Sequence, residues 1–425
     1  MRGESCAGIM AYKAPRGTHD VLPGEAPAWL RLENAFRETC RRFGYGEIRT
    51  PVFEEAELFS RAEGEGTDIV VKEMYTFTDR GGRSITLRPE GTPPVLRAYI
   101  EHKIYGEPGT WKVFYIAPMF RYDRPQKGRY RQHHQFGIEA VGALGPDIDA
   151  EVIWLARDFL SGVGVRDWRL EVNSIGCPQC RPAYLERLRD ALRPHLGELC
   201  ALCQERFERN PLRILDEKNP QCQEAARDAP SILDHLCADC RRHFDGLLAL
   251  LGELGIAYAV NSRIVRGLDY YSRTAFEILH GGLGAQQNAI VGGGRYDGLV
   301  EALGGPPTPG VGFGCGVERL ALAAGAGEPA QDARPGSVYV AVLGEEGQAA
   351  GLRLLKELRS SGLAAHADYL HRSLKAQMKE ADRLGCSHVL ILGDEELAAG
   401  EVTVRDMKTG AQQRLPVQRA AHAIG

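Results

Sequence analysis

Hydrophobic side chains recur at helical spacing where the patterned part of the chain begins. Between residues 27 and 43 they are separated by three, four, four and three residues, which aligns them on one face of a helix. The residues concerned are Trp29, Leu32, Phe36, Cys40 and Phe43. Gly44 follows directly and suits a helix end, where glycine commonly takes the left-handed conformation. The pattern predicts a long amphipathic helix with one buried face.

Strand-like runs dominate the next part of the chain. The stretch GYGEIRTPVFEEAELF at 44–59 is interrupted by Pro51, which cannot donate to a β-ladder and so indicates an edge or a bend. Further strand patterns, separated by polar stretches that suit hairpins, occur at 74–78, 84–88, 112–119 and 131–141. This spacing predicts a mostly antiparallel sheet. A helical pattern at 148–161 and a strand pattern at 168–175 follow.

The pattern changes character between residues 177 and 245. This segment is helix-rich and divides two sheet-forming regions, which is typical of an inserted domain. The strand pattern resumes at 263–280, continues through the glycine-rich stretches 292–298 and 310–316, and ends in a helix that begins near Val317. The two sheet-forming regions are therefore expected to belong to one domain.

A segment rich in Gly, Pro and Ala, GAGEPAQDARPGS at 325–337, marks a domain boundary. Beyond it, VYVAVLG, a helical run, LAAHADY, a second helical run and HVLILG follow a β-α-β-α-β order, which predicts a parallel sheet with covering helices. The fold class we expect is α/β, with an α+β first domain on a mostly antiparallel sheet and a C-terminal α/β domain. The expected divisions are a tail at 1–11, the first domain at 12–176 and 263–325, the insertion at 177–262, a linker at 326–337 and the C-terminal domain at 338–425.

The composition is that of a globular protein. At roughly 100 to 200 residues per domain, the 425 residues predict two to four domains. Hydrophobic residues make up 44% and charged residues 25%, unlike a disordered or fibrous chain. No run of 18 residues lacks charges, which predicts no transmembrane helix and no membrane partner. Because the net charge is −4, any nucleic-acid contact must depend on local basic patches.

Cysteine usage and the N-terminus predict a cellular compartment. Eleven cysteines in a chain of this length do not suggest a secreted disulfide framework, and MRGESCAGIM has no apolar signal-peptide core. We therefore expect a cytoplasmic protein. Met10 directly precedes the patterned sequence, so the first nine residues are expected to be a tail or to precede the true start.

The densest chemical signal is FRYDRPQKGRYRQHHQFGIEAVG at 120–142. Five cations fall within eleven residues and are opposed only by Asp123; they are Arg121, Arg124, Lys127, Arg129 and Arg131. If 131–139 is a strand, alternation places Gln135, Gly137 and Glu139 on a polar face, opposite Phe136 and Ile138. Such a loop and strand could hold a triphosphate beside a small amine-bearing ligand. Charge alone favours the alternative, a solvated basic hairpin.

Three further motifs are weak signals when each is taken alone. In VRGLDYYSRTAFE at 265–277, Arg266 precedes a glycine turn and the phenols of Tyr270 and Tyr271, although an ordinary strand with core tyrosines would fit equally well. IVGGGRYDGL at 290–299 allows a flat ligand to approach the backbone but matches neither P-loop nor dinucleotide spacing. GVGFGCGVERLAL at 310–322 leads into a helix whose first turn carries Arg319, a residue that opposes the helix dipole and therefore needs another explanation.

Together and in this order, the motifs resemble those of the class II aminoacyl-tRNA synthetases and, within that class, of the histidyl-tRNA synthetase family. IRTPVFEE with Pro51 is similar to the first class motif, which forms the dimer interface, while the segments at 120–142 and 310–322 are similar to the second and third. VRGLDYYSRTAFE and GGGRYDGL are similar to two signatures of the histidyl family, and TLRPEGT at 86–92 to its amino-acid-binding segment. The resemblance extends from PRGTHD at 15–20 to the C-terminal domain, which resembles the anticodon-binding module of the family.

The resemblance implies a histidine–tRNA ligase. Such an enzyme activates L-histidine with ATP to histidyl-adenylate and pyrophosphate, and then transfers histidine to the 3′ end of tRNA(His). A homodimer and Mg²⁺ that accompanies ATP are implied as well. Attack of a carboxylate on the α-phosphorus brings two anions together, so the protein has to supply positioning and electrostatic stabilisation. Fixed arginine forks suit this task because they clamp phosphates in bidentate geometry.

The resemblance also implies roles for individual residues. Arg121 would bind the α-phosphate, Arg129 the terminal phosphates, and Arg319 the other side of the triphosphate and the adenine. Arg266 would approach the α-phosphate and the substrate carboxylate, and with Arg121 is implied to be catalytic. The residues implied to bind histidine are Glu90, Thr92 and Gln135 at the α-amino group, with Gly91 in the same segment, and Glu139 and Tyr271 at the imidazole, with Tyr270 beside them.

The cysteines of the insertion form a second candidate site. Three CxxC pairs and one further cysteine lie within 64 residues, at spacings that suit a structural zinc site. They are Cys177, Cys180, Cys200, Cys203, Cys222, Cys237 and Cys240. Reduced thiols without a metal ion are an equally weighted interpretation, because the sequence does not say which pairs approach one another.

A function of another class is also open to a chain with these motifs. It could be a regulatory subunit of histidine biosynthesis that resembles a synthetase but is catalytically inactive. Such a subunit lacks the anticodon-binding domain and has degenerate catalytic signatures, whereas this chain has residues 338–425 and an intact RGLDYY. The sequence therefore favours the ligase.

Overall fold

The computed structural model describes residues 12–64, 67, 69–126, 128–266, 268–284, 288–325 and 337–424. The predicted tail at 1–11 and residues 326–336 of the predicted linker lie outside these ranges, as do Lys127 and Gly267. The chain divides into two compact units, Met1–Glu328 and Pro329–Gly425. The finer division into tail, insertion and linker stays a prediction.

The first unit is built on one large sheet. Within its described residues, eight strands lie in the order Gly46–Glu47, Trp111–Phe120, Gln132–Val141, Gly310–Gly316, Ala289–Arg295, Ser272–His280, Trp168–Ser174 and Ala259–Val260. The central pairs are antiparallel, and the two short edge strands pair in parallel with their neighbours. The predicted antiparallel sheet is thereby confirmed.

Helices cover one face of this sheet. The predicted first helix spans Ala26–Arg42, and its Phe36 stacks on Phe136 of the sheet with ring centroids 4.8 Å apart. Gly44 follows this helix with a φ of +76°, which confirms the predicted left-handed end. The helices Pro146–Gly162 and Ala238–Glu253 share the same buried core. With one face filled by apolar packing, the opposite face is free to carry polar side chains.

A smaller sheet follows the bend at Pro51. Its described strands lie in the order Phe53–Glu55, Ser84–Leu87 and Tyr75–Thr78, all antiparallel. The buried guanidinium of Arg88 donates to the carbonyl oxygens of Thr50 and Pro51, at 3.0 and 3.1 Å, and so fixes the bend. The remaining helical elements before the insertion are Ala56–Glu63, Ile69–Glu73, Thr92–Glu101 and Ile104–Gly106.

The helix-rich segment predicted at 177–245 has a hydrophobic core of its own, built around buried residues such as Tyr184, Leu188 and Ile214. Its helical elements are Arg181–Leu192, Arg193–Glu198, Ala201–Arg209, Leu212–Leu215, Pro220–Ala225 and Ile232–His235, followed by Ala238–Glu253.

One predicted strand is too long. The pattern at 263–280 is a strand only from Ser272 to His280, and the described residues before it form turns and loops. Ile264 and Val265 pack into two different hydrophobic clusters, so their apolar character reflects burial of a loop rather than a ladder. This loop places the side chain of Arg266 against the sheet, where it is ion-paired with Glu277.

Glycine-rich strands complete the first unit as predicted. Ala289–Arg295 is followed by the short helix Leu299–Ala302, and Gly310–Gly316 by the helix Val317–Ala323, while a helical turn spans Gly281–Leu283. Arg295 is fully buried and donates to Asp149 at 2.8 Å and to the carbonyl oxygen of Gly145 at 2.9 Å. This paired charge ties the end of its strand to the helix Pro146–Gly162.

The second unit has the predicted β-α-β-α-β order. The strands Val338–Val342, Ala365–Ala367 and His388–Leu392 are parallel, and the helices Gln348–Ser360 and Leu374–Arg383 connect them. The antiparallel strands Glu401–Asp406 and Gln412–Pro416, which the sequence pattern did not predict, extend the sheet. The further helical elements are Asp394–Ala399, Val417–Arg419 and Ala420–Ile424. No helix within the described ranges is both long enough and apolar enough to cross a membrane.

Candidate active site

Two connected cavities open on the polar face of the large sheet. The larger has a volume of about 890 Å³, and the smaller, of about 90 Å³, shares Arg121, Gln135, Arg266, Gly292 and Gly314 with it. The larger cavity is also lined by Arg129 and Arg319, and the smaller by Glu90, Thr92, Tyr270 and Tyr271. The residues singled out in the sequence, which are spread over more than half of the chain, thus meet in one place.

Strand alternation delivers the polar side chains to these cavities. In the strand Gln132–Val141, Phe136 and Ile138 are fully buried in the core, as predicted, whereas Gln135 lines both cavities and Glu139 lies on the same face. The neighbouring strand pairs Gly316 with Gln135 and Gly312 with Glu139. The alternation in the sequence therefore places polar side chains on the cavity face of the sheet and apolar side chains in the core.

Glycines on the neighbouring strands make room for the polar side chains. A Cβ atom on Gly314 would lie 1.9 Å from Nε2 of Gln135, and one on Gly312 would lie 2.1 Å from Oε2 of Glu139. Similarly, a Cβ atom on Gly292 would lie 2.4 Å from the guanidinium nitrogens of Arg266. The two glycine-rich motifs are thus needed because functional side chains lie flat across the strands.

Glu90 is a buried carboxylate with one oxygen left open. Its Oε2 accepts a hydrogen bond from the Tyr270 hydroxyl at 2.9 Å, whereas its buried Oε1 has no donor among the described residues apart from the neighbouring carboxyl group of Glu63. Burial and the neighbouring Glu90 raise the pKa of Glu63 well above its usual range, and burial also raises the pKa of Glu90. The open oxygen of Glu90 is suited to an ammonium group.

Arg266 presents the complementary charge to the same pocket. Its Nη1 is ion-paired with Glu277, and its guanidinium lies 5.6 Å from the centre of the Tyr271 ring. Its buried Nε has no hydrogen-bond acceptor in the described part of the chain. Because a buried donor without a partner is destabilising, this N–H is suited to an anionic ligand group.

Glu139 lies at the bottom of the site and is almost fully buried. Thr92 donates to its Oε1 at 2.6 Å, and the Tyr296 hydroxyl donates to its Oε2. Burial raises the pKa of Glu139 to about 8, although the hydrogen bonds from Thr92 and Tyr296 favour the carboxylate. Each of its oxygens keeps a second lone pair for a ligand donor.

Backbone carbonyls hold the arginines of the larger cavity. Arg121 donates from Nε to the oxygen of Pro89 at 2.8 Å, and Arg319 donates from Nη1 to the oxygen of Ala289 at 3.1 Å. Arg129 forms an ion pair with Asp123. Burial, together with Arg121 and Arg319, lowers the pKa of His133 to about 3, so this histidine stays neutral. The cavity therefore presents fixed positive charge, as a polyphosphate requires.

Not every cation of the basic segment belongs to the site. Arg131 stacks on Tyr122 at 3.8 Å from the ring centre, and Arg124 is exposed. Lys127 lies outside the described residues. Part of the basic segment therefore faces solvent, and part of it faces the cavity.

Sequence reasoning missed several residues of the site. Tyr115 belongs to none of the motifs, but its hydroxyl accepts a hydrogen bond from Nε2 of Gln135 at 3.4 Å. Its ring lies against Gly91 and Gly137. Gly91, predicted to bind histidine, is buried behind this ring. Tyr296 stands in GGGRYDGL and was overlooked because its partner Glu139 is 157 positions away. His133 received no role from the sequence motifs, yet it lines the larger cavity.

The cysteines of the insertion form two groups that could hold metal ions. Cys177, Cys180, Cys237 and Cys240 make one group, and Cys200, Cys203 and Cys222 make the other. Within each group the sulfur atoms all lie within 4.8 Å of one another. Neither group has a member among the residues that line the two site cavities.

Comparisons with known proteins agree over nearly the full chain. A family model described as "Histidyl-tRNA synthetase" matches residues 17–320, and one described as "Anticodon binding domain" matches residues 337–425. The histidine–tRNA ligase of Desulforamulus reducens is 53% identical over 410 residues, which cover 96% of this chain and 98% of that protein. That of Moorella thermoacetica is 54% identical over 410 residues, covering 96% of each.

A solved structure agrees as well. The crystal structure of apo S. aureus histidyl-tRNA synthetase matches with a TM-score of 0.81 and 38% sequence identity, over 97% of this chain and 100% of that one.

Proposed function

The chain belongs to the histidyl-tRNA synthetase family and is a histidine–tRNA ligase, and we propose that the two connected cavities are where it activates histidine with ATP. The observation that carries this proposal is a pair of buried atoms in the small pocket: Nε of Arg266, which has no partner among the described residues, and Oε1 of Glu90, which has no donor there apart from the carboxyl group of Glu63. One suits an ammonium group and the other a carboxylate. An α-amino acid carries both groups. The relatives, which are named as ligases, do not support the alternative of an inactive regulatory subunit.

The small pocket binds the amino acid histidine. Glu90 accepts the α-ammonium group, and Thr92 and Gln135 line the same pocket. Glu139 and Tyr271 bind the imidazole, with Tyr270 held beside them by its hydrogen bond to Glu90. Because these polar groups are buried, an amino acid that cannot pair with them leaves them unsatisfied and is rejected.

The larger cavity holds ATP. Arg121 and Arg266 line both cavities and therefore stand where the α-phosphate meets the histidine carboxylate. A carboxylate oxygen attacks the α-phosphorus, the bond to the β-phosphate oxygen breaks, and pyrophosphate leaves. Arg129 and Arg319 bind the remaining phosphates and the adenine side. The fixed guanidinium groups offset the charge that the transition state spreads over the phosphate oxygens.

Divalent metal is expected in a synthetase, and we propose that it is Mg²⁺. Carboxylates are the oxygen ligands that Mg²⁺ prefers, and Glu277, Glu318 and Asp216 line the larger cavity. Mg²⁺ bound there would neutralise phosphate charge.

The partners we propose beyond ATP and histidine are tRNA(His) and a second copy of the chain. The match of residues 337–425 to an anticodon-binding domain supports contact with the anticodon end of the tRNA. The exposed Val52 and Phe53 beside Pro51 support the predicted dimer surface. We also propose a cytoplasmic location, which the cysteine usage supports because ten described cysteines are free of disulfides.

Calorimetric titration with histidine and two analogues tests the proposed histidine-binding pocket. L-histidine should bind, whereas histamine, which lacks the carboxylate, and imidazole propionate, which lacks the amine, should each bind about 10- to 100-fold more weakly. Equal binding of all three compounds would show that the pocket does not pair with both charged groups.

A further inference from the structure

We propose that the chain holds two structural zinc ions, one in each cysteine group of the insertion. The four-cysteine centre consists of Cys177, Cys180, Cys237 and Cys240, and the three-cysteine centre of Cys200, Cys203 and Cys222. Both centres lie outside the cavities proposed for adenylation, and the proposal does not depend on that function.

The sulfur spacing of the four-cysteine centre fits a single tetrahedral ion. The distances are 3.7 Å between Cys177 and Cys180, 3.8 Å between Cys177 and Cys237, and 3.8 Å between Cys180 and Cys240. A tetrahedron of Zn–S bonds of about 2.3 Å has edges of about 3.8 Å. A disulfide would require sulfur atoms only about 2.05 Å apart.

The placement of the four-cysteine centre gives it a structural task. Cys177 and Cys180 follow the strand Trp168–Ser174 and precede the helix Arg181–Leu192, whereas Cys237 and Cys240 lie at the start of the helix Ala238–Glu253. An ion there would join the start of the insertion to the start of the helix Ala238–Glu253. The backbone N–H of Cys177 also donates to Sγ of Cys180 at 3.2 Å. Hydrogen bonds of this kind commonly orient the ligands of a metal ion.

The four-cysteine centre is linked to the histidine pocket through the next residue. Arg181 donates from Nη2 to the backbone oxygen of Tyr271 at 2.6 Å. Cys177 and Cys237 line a cavity of about 660 Å³ that Tyr270 and Tyr271 also line. An ion at Cys180 would therefore position Arg181 and, through it, the backbone of Tyr271.

The three-cysteine centre lies in the core of the insertion. Cys203 and Cys222 are fully buried, and the N–H of Cys200 donates to Sγ of Cys222 at 3.3 Å. Oε2 of Glu217 lies 3.8 Å from Sγ of Cys203 but accepts a hydrogen bond from Arg206 at 2.9 Å, and it does not approach all three sulfur atoms. The three thiolates therefore leave the fourth position of a tetrahedral zinc ion to a water molecule. Glu217 stands between Asp216 and Lys218, which both line the larger cavity, so this ion would order that edge of the ATP site.

Metal content decides the proposal. Full-length protein, purified without chelator, is examined by inductively coupled plasma mass spectrometry and by native mass spectrometry. We expect about two zinc ions per chain, one for each group. Cys237→Ser and Cys222→Ser should each lose a different one of the two ions, whereas Cys386→Ser, a buried cysteine of the second unit, should keep both.

A measurement on the unmodified chain tests the proposal even if the cysteine variants fail to fold. Titration of its thiols with a mercurial should release zinc to a chromogenic chelator in step with the modification. Trace metal only, iron in place of zinc, or disulfides within the groups would overturn the proposal. If the zinc content of Cys222→Ser equals that of the unmodified chain, the three-cysteine centre is overturned.

The link to the pocket has its own readout. In Cys237→Ser the KM for histidine should rise several-fold while the KM for ATP changes little, because Arg181 contacts Tyr271 and not the arginines of the larger cavity. Equal changes in both constants would mean that the four-cysteine centre supports the fold alone.

Discussion

Single buried atoms without partners identify this site more sharply than its charge does. Surface arginines are common, and a basic segment alone favours a solvated hairpin. The buried Nε of Arg266 has no acceptor in the described chain, and the buried Oε1 of Glu90 has no donor there apart from the carboxyl group of Glu63. Both atoms therefore suit the proposed ligand, which carries an ammonium group and a carboxylate.

Arg266 tests this idea at the level of one residue. Arg266→Ala should lower kcat/KM for amino-acid-dependent pyrophosphate exchange by about 100- to 1000-fold, because the fixed charge beside the reacting groups is lost. The fold should persist, since the side chain is 18% exposed and Glu277, its partner, is 27% exposed. Circular dichroism and exchange kinetics check both points. Arg124→Ala, in the exposed part of the basic segment, is the control; unimpaired exchange in Arg266→Ala would remove the residue from its role.

Glu139 gives a prediction about pH. Burial raises its pKa to about 8, so the free pocket holds a protonated acid at neutral pH, and an imidazole N–H is best accepted by the ionised form. Histidine binding then releases a proton, and affinity should increase with pH, by up to about tenfold per unit, until it levels off near the pKa. Calorimetry from about pH 7 to pH 8.5, above the range in which the imidazole of free histidine titrates, measures this slope. The slope should vanish in Glu139→Gln, and an unchanged slope there would assign it to another group.

At the scale of elements, the glycine-rich strand Gly310–Gly316 offers a matched pair of substitutions. Gly314→Ala would place a methyl group 1.9 Å from the Gln135 amide, whereas a Cβ atom on Gly316 meets nothing within 4 Å. Gly314→Ala should therefore raise the KM for histidine by roughly 10- to 100-fold through displacement of Gln135, and Gly316→Ala should leave it unchanged. Similar KM values in both variants would mean that Gln135 does not contact the amino acid.

Elements with a strict period were predicted well, and elements held by distant contacts were not. The first helix and the alternation along Gln132–Val141 followed directly from spacing. The loop before Ser272 was mistaken for a strand because Ile264 and Val265 are buried without a ladder. The site itself was assembled by resemblance of motifs. Its contacts, such as Tyr296 with Glu139, join residues far apart in sequence and could be found only in the fold.

At the scale of the whole molecule, an exposed apolar edge predicts assembly. Phe53 is 58% exposed on an edge strand of the small sheet, next to Val52 at 39%. Phe53→Asp should shift the protein toward monomer in sedimentation velocity experiments, because a charge would be buried at the proposed interface. Leu144→Asp, at a similar exposure of 57% elsewhere in the first unit, should leave the dimer intact. A dimer that tolerates both changes would place the interface on another surface.

The central claim is that the paired cavities activate one amino acid with ATP. The most direct test is ATP–pyrophosphate exchange on the purified full-length chain, with each of the twenty amino acids offered separately and without tRNA. Exchange that depends on histidine alone is the predicted result. Exchange with another amino acid, or no exchange with any of them in a folded protein, would contradict the account.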